Sequence, residues 1–374
     1  MALLRAFSGE DHYLLFVKQI PFMKLIRPLF FCCCLLLAGH LSSQDLHWTL
    51  YNFSPLTLNP GFTGAYEGSF RVGGIFRDQA PNVTSARGLD DLDERSNLRS
   101  LSNVYFPSYN FYIDAPLIRG FRKQDWVGVG GTFYSDQAGD VALGLTYVYG
   151  SVAYHLALDK KAKTVLTLGV QGGTGSRGVN EAGKALLESD IRMNFQSPTS
   201  SFNAGSSTFF DLNTGLLLRS KVNKKTDLNV GMNFRHLVTT NYALQGDLRL
   251  PLTFVIHSQL DTELNDKWSL APTVMLQNAG NATETQLQGM LGYLFNEEKA
   301  VTLNFGLGYR VGDAGQFLLG MEYGAFRAAA SFDLTLSGLN QINNSVGGFE
   351  LGVSYIGRIY KDPPIKPVLF CPRF

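Results

Sequence analysis

The feature that most constrains this chain is a period of two, sustained over segments of ten or more residues and repeated from Ser69 almost to the end. Phe70, Val72, Gly74 and Phe76 alternate with Arg71, Gly73 and Arg77. Leu228, Val230, Met232 and Phe234 alternate with Asn229, Gly231, Asn233 and Arg235. Val301, Leu303, Phe305, Leu307 and Tyr309 alternate with Thr302, Asn304, Gly306, Gly308 and Arg310, and Phe349, Leu351, Val353 and Tyr355 with Glu350, Gly352 and Ser354. Such alternation sets one strand face against an apolar medium and the other against water or small side chains.

Fourteen such segments can be placed: 69–79, 103–115, 125–136, 141–157, 163–174, 207–220, 226–237, 247–260, 268–278, 284–295, 299–311, 315–325, 326–337 and 346–358. They are long enough for tilted strands that cross a hydrocarbon band, which needs about 9–11 residues each. An even number returns both barrel ends to one side. In the fourth segment the apolar set slips near Gly150, from Leu145, Tyr147 and Tyr149 to Val152, Tyr154 and Leu156, which predicts a bulge. Composition agrees: charged residues are 17%, aromatics 12%, and there are 39 Gly in 374 residues. A formal net charge of +1 argues against nucleic acid as a partner. The expected fold is therefore an all-β, transmembrane, antiparallel up-and-down β-barrel of about 14 strands, with outer-membrane lipid around it. A secreted β-sandwich would show strands nearer five or six residues and more surface charge.

Compact charged turns at Asp159–Lys161, Asn223–Lys225, Asn265–Lys267 and Glu297–Glu298 read as periplasmic. The long polar stretches 80–102 and 175–206 read as extracellular, with a short helix over 182–191. Asp90, Asp91, Asp93 and Glu94 lack the regular ligand spacing of a calcium loop, so a solvated loop is the expectation.

Before the barrel lies a leader. Lys24 and Arg27 precede an apolar run from Leu29 to Gly39, and Leu41-Ser42-Ser43 follows with small residues. This is the layout of a cleaved signal peptide spanning 1–43, with Met23 a better start than Met1. Cys32, Cys33 and Cys34 sit early in the apolar run, after Phe30 and Phe31, and read as filler and not as a lipid attachment site. Cleavage leaves Cys371 alone and no intramolecular disulfide. Residues 44–68 are irregular, punctuated by Pro55, Asn59-Pro60-Gly61 and Gly64, and are a candidate plug. The barrel is expected over 69–358. A Pro-rich tail follows over 359–374, on the periplasmic side.

Chemistry-bearing patterns are missing. There is no Gly-x-Ser-x-Gly, no His-Glu-x-x-His, no Cys-x-x-Cys and no phosphate loop. Gly172-Gly173-Thr174-Gly175 lacks the helix start and Lys that a phosphate cradle needs. His47, His155, His236 and His257 are widely spaced. The expectation is a non-enzymatic protein with no catalytic residue, cofactor or metal.

Several segments, taken in order, resemble the PorP/SprF family of outer-membrane proteins linked to type IX secretion in Bacteroidota. Tyr51 to Ala65, with Asn59-Pro60-Gly61-Phe62-Thr63-Gly64, is similar to the family's N-terminal signature. Here Ser54 replaces its first Asn, and Gly61-Phe62-Thr63 replaces Ala-Tyr-Ala. Phe76-Arg77-Asp78-Gln79, Asp114-Ala115-Pro116-Leu117, the turn Asp136-Gln137-Ala138-Gly139 and Ala153-Tyr154-His155-Leu156 are similar to later elements. So are Gly308-Tyr309-Arg310, Phe332-Asp333-Leu334-Thr335-Leu336-Ser337 and Gly347-Gly348-Phe349-Glu350-Leu351. Cys371-Pro372-Arg373-Phe374 resembles the closing tetrapeptide. The resemblance implies an outer-membrane accessory that helps export or anchor type IX cargo, such as a large adhesin, with a link to gliding motility. It implies as partners the cargo and the periplasmic components of the system. Candidate partner contacts are Asn59, Pro60, Gly61, Asp136, Gly139, Phe370, Cys371, Pro372, Arg373 and Phe374. Structural roles compete: Asn59-Pro60-Gly61 as a turn, Asp136 as a turn cap, Asp333 inside the lumen. The alternative function is a diffusion or uptake channel for a small solute.

Overall fold

In a computed structural model, residues 48–79, 107–119, 124–138, 143–179, 206–238, 240–244 and 247–359 are described. The leader, its cysteines, the acidic stretch 90–94, the segment 182–191 and the tail from 360 lie outside these residues.

Fourteen strands close into one antiparallel barrel in which each pairs with its sequence neighbours and the first pairs with the last. They are β1 (Phe70–Gln79), β2 (Pro107–Arg119), β3 (Trp126–Ala138), β4 (Leu143–Ala157), β5 (Thr164–Val179), β6 (Ser206–Lys221) and β7 (Thr226–Arg235). They continue with β8 (Thr253–Glu263), β9 (Trp268–Ala279), β10 (Ala282–Asn296), β11 (Val301–Arg310), β12 (Ala314–Tyr323), β13 (Phe326–Thr335) and β14 (Val346–Gly357). The seam runs in unbroken register from Phe70↔Gly357 to Gln79↔Gly348. Closure satisfies every strand edge, which lipid demands because it offers no hydrogen bonds. Among the described residues no helix is long and apolar enough to cross a membrane.

The alternation acts as expected. On β14, Phe349, Leu351, Val353 and Tyr355 are exposed outward, while Gly348, Glu350, Gly352 and Ser354 are buried inward. On β11, Phe305, Leu307 and Tyr309 face outward. Trp268, Tyr323, Phe326 and Tyr355 on the outer surface lie near one strand end, and Phe76, Tyr109, Phe210 and Phe317 near the other. This is the pair of aromatic girdles that flanks a lipid band.

Two expectations are corrected. The slip near Gly150 is not a bulge: β4 pairs with β3 and β5 without interruption through Gly150. Tyr147 and Tyr149 instead point inward, with Ser151, Ala153 and His155, while Val148, Val152 and Tyr154 point outward. The apolar set changes face because lumenal aromatics are apolar too. Breaks in register occur elsewhere, at Leu294/Asn296, Asp333/Leu334 and Pro116/Ile118. β8 begins at Thr253 and not at 247. Residues 241 and 249 form only a single bridge, and Pro251 has no N–H to give a ladder.

The two ends of the barrel differ. Turns 158–163, 222–225, 264–267, 297–300 and 324–325 lie at the end that also holds Phe70 and Gly357. The longer connections, including 236–252 and 336–345, lie at the other. Short turns mark the periplasmic end of such barrels. In one of them, Asp159 accepts N–H groups from Thr164 (2.7 Å) and Lys161 (2.8 Å). These bonds, that from Thr164 foremost, hold its carboxyl below the usual carboxylate range.

Candidate functional site: the occupied lumen

The lumen holds the chain's own residues 48–65. Trp48, Leu50, Tyr51, Leu56, Leu58 and Ala65 are buried, as are Thr49, Ser54, Asn59 and Thr63. The segment is built of short turns, Tyr51–Phe53, Pro55–Leu58 and Pro60–Phe62, with a proline opening each of the last two. Proline suits that first position because its missing N–H would be unpaired there.

At the extracellular end a clamp of charged and amide side chains grips residues 48–50. The Glu350 carboxylate accepts the N–H of Thr49 (2.8 Å) and of Leu50 (2.7 Å), and also pairs with Arg77. The Thr49 hydroxyl donates to Asp333 (2.7 Å) and accepts from Arg310 (3.0 Å) and Gln316 (3.1 Å). Gln286 donates to the Trp48 carbonyl (3.2 Å) and Gln288 to that of Thr49 (2.8 Å). Arg310 also contacts Asp333 (3.1 Å), Glu284 (3.3 Å) and Asp313 (3.1 Å), and Arg77 lies 3.5 Å from Asp333. Arg77, Asp333 and Glu350 are almost fully buried, so each charge depends on these partners.

At mid-depth Asn59 is fully buried. Its amide donates to the carbonyls of Leu216 (2.9 Å) and Met232 (3.1 Å) and contacts His257 Nε2 (3.1 Å). Its oxygen accepts the Gly61 N–H (2.8 Å), capping the turn Pro60–Phe62. At the periplasmic end His155 Nε2 donates to the Thr63 carbonyl (2.8 Å), since a carbonyl can only accept. Asp114 accepts the Gly64 N–H (2.7 Å) and two bonds from Arg71 (both 2.9 Å). Trp126 donates to the Gly64 carbonyl (2.9 Å), and Arg219 to that of Ala65 (2.5 Å). The segment thus runs from the extracellular end of the lumen to the periplasmic end, where it turns into β1.

Glycine explains how the backbone fits. A side-chain carbon on Gly169 would overlap the Pro60–Gly61 peptide, one on Gly128 the Thr63 carbonyl, and one on Gly215 the Asn59 amide. On Gly352 it would come within 2.7 Å of the Phe53 ring. These contacts are with backbone, a packed ring or, at Gly215, an amide pinned by its own hydrogen bonds, none of which can swing away. Gly169→Val is therefore expected to cost about 1–3 kcal/mol through overpacking. It should also expose the segment to protease added to detergent-solubilised barrel. Unchanged cleavage of residues 48–65 in the variant would contradict this packing.

Beside the segment, Tyr134, Tyr147, Tyr149 and Phe209 form a ring cluster that Trp48 meets edge-on at 6.1 Å. A small cavity remains among Trp48, Leu58, Arg235, Val255 and Met275. Toward the periplasm, on the opposite wall, Gln259, Asp261, Asn304 and Glu322 are only half-buried.

The sequence candidates fall in different places. Asn59, Pro60 and Gly61 are buried inside the barrel. Asp136 does not cap a turn: β3 continues through Ala138, and Asp136, half-buried on it, accepts from Ser108 across the strand pair (2.6 Å). Gly139 and the tail Phe370, Cys371, Pro372, Arg373 and Phe374 lie outside the described residues. Among the described residues no group of His, Cys, Asp and Glu is arranged to hold a metal. Glu350, Arg77, Arg310 and Asp114 lie in segments that resemble the family, but neither they nor Gln286 and Gln288 are named as site residues by the sequence. Polar character at inward positions does not name a partner.

A closed fourteen-strand barrel with an apolar outer band and a polar lumen is an outer-membrane protein. Residues 40–355 match the family model described as type IX secretion system membrane protein PorP/SprF, and the chain belongs to that family. It is thereby associated with type IX secretion at the outer membrane. None of the curated proteins matches it in sequence. Among solved structures it is similar to the Pseudomonas putida toluene transporter TodX, at 11% identity over 81% of this chain and 93% of that one, TM-score 0.47. It is similar too to the Ralstonia pickettii toluene transporter TbuX, at 13% identity over 82% and 94%, TM-score 0.45. A Pseudomonas aeruginosa FadL homologue matches at 11% identity over 80% and 92%, TM-score 0.43. These likenesses concern barrel shape alone.

Proposed function

We propose that this protein is a non-enzymatic accessory of type IX secretion that helps export or anchor particular cargo, such as a large adhesin serving gliding, at the cell surface. The observation that carries this reading is the lumen. In a secretion family, a barrel filled by its own buried segment acts through its surfaces and not as a solute path. A diffusion channel would require residues 48–65 to leave a dozen buried hydrogen bonds or more. A barrel has no energy source of its own, so it works between the periplasmic machinery and the cargo outside.

The periplasmic contact in this reading is the tail. Gly357 pairs with Phe70 at the short-turn end, so the chain leaves the barrel on the periplasmic side. Pro363, Pro364, Pro367 and Pro372 prevent a further strand. Val368, Leu369, Phe370, Cys371 and Phe374 supply an apolar surface for a partner. On the extracellular side Asp136, near the end of β3, and Gly139, which follows that strand in sequence, are candidate cargo contacts. Deleting Pro367–Phe374 is expected to leave the barrel in the outer membrane and to remove one cargo protein from the surface, with a smaller fall in total secretion. Outer-membrane fractionation paired with surface proteomics checks this. An assembled truncated barrel with an unchanged surface proteome would refute the tail's role.

A further inference from the structure

We propose that the extracellular half of the lumen is a peptide-binding site, filled in cis by Trp48–Leu50 and able to take in trans a peptide folded in the same turn. The wall there reads backbone. Glu350 offers its two carboxylate oxygens to two consecutive N–H groups, those of Thr49 and Leu50. Gln286 and Gln288, two apart on β10 and so on one face, donate to the consecutive carbonyls of Trp48 and Thr49. Thr49 and Leu50 form a turn, and it is the turn that aims two consecutive N–H groups at one carboxylate; in an extended strand they would point to opposite sides.

One side chain of the bound segment is read closely. The Thr49 hydroxyl sits among Asp333, Arg310 and Gln316, an acceptor and two donors that match a hydroxyl's own donor and lone pairs. The site therefore specifies a turned peptide with Thr or Ser at its centre, flanked by apolar side chains that are buried as Trp48 and Leu50 are. Arg310, which holds that hydroxyl, also pairs with Asp313, whose side chain is 39% exposed. The site thus lies one ion pair from the extracellular surface. The bound segment joins β1 through Glu67, which is exposed at the far, periplasmic end. Cutting there would free the segment without touching the clamp. This inference does not depend on what the protein helps to export.

The test places a protease site at Glu67 in the otherwise full-length barrel, cleaves it after refolding in detergent, and adds a fluorescent peptide of residues 48–65. The barrel should stay folded, and the labelled peptide should exchange into it. Thr49→Val in the peptide, or Glu350→Gln in the barrel, should each weaken binding about tenfold or more, as loss of a charge-assisted hydrogen bond would. Three results would overturn the proposal: collapse of the barrel on cleavage, retention of the cut segment without exchange, or equal binding of the Thr49→Val peptide. The first two would make the segment ordinary core.

Discussion

Glu350→Ala is expected to cost about 3–5 kcal/mol of barrel stability, the cost of removing one partner from a buried charge pair. The carboxylate is almost fully buried and serves three donors: Arg77 and the N–H groups of Thr49 and Leu50. Its loss leaves a guanidinium in the wall short of a counter-charge and two segment amides unpaired. Glu322→Ala supplies the control. Glu322 also pairs with an arginine, Arg327 at 3.2 Å, but both side chains are more than a third exposed. An exposed pair is worth about 0–1 kcal/mol. Urea unfolding from lipid vesicles compares the two. Equal losses would mean that the clamp on residues 48–50 does not stabilise the barrel.

The second large effect lies on the outer surface. Phe305 sits at the middle of β11, opposite Leu291 and Leu319, and its side chain is exposed to the surroundings of the barrel. Phe305→Arg should lose about 2–4 kcal/mol, the cost of a charge at the bilayer midplane. Asn304→Arg, one residue away, should lose much less. Its side chain faces the lumen, 3.5 Å from Glu322, where a guanidinium gains a partner. Folding into vesicles measures both. Equal effects would show the inside and outside of β11 to be reversed.

The outer surface was legible in the sequence because lipid imposes one rule on every outward residue. Phe349, Leu351, Val353 and Tyr355 carry that rule without reference to any neighbour. Strand number, order and closure follow from repetition of it. The lumen obeys no such rule. Glu350 takes its meaning from Thr49, 301 positions earlier in the chain, and Gln288 from the same residue across 239 positions. A single sequence shows both as polar residues at inward positions, and Glu350 within a family-like segment, but names a partner for neither. Tyr147 and Tyr149 show the converse failure: apolar enough to imitate lipid-facing residues, they line the lumen beneath Trp48. The high glycine content was legible as a barrel trait. Its particular use at Gly128, Gly169, Gly215 and Gly352, where a backbone, the Asn59 amide or a ring lies against the wall, needed the fold. Asn59-Pro60-Gly61 read as turn chemistry in the sequence, and the turn it makes lies deep in the barrel.

The most direct measurement is single-channel recording of the full chain in a planar bilayer, beside a variant lacking residues 48–65. A barrel that works closed, through its surfaces, should be electrically silent as the full chain and should conduct once the segment is gone. Steady, segment-independent conductance from the full chain would contradict that account and would return the protein to the class of solute channels.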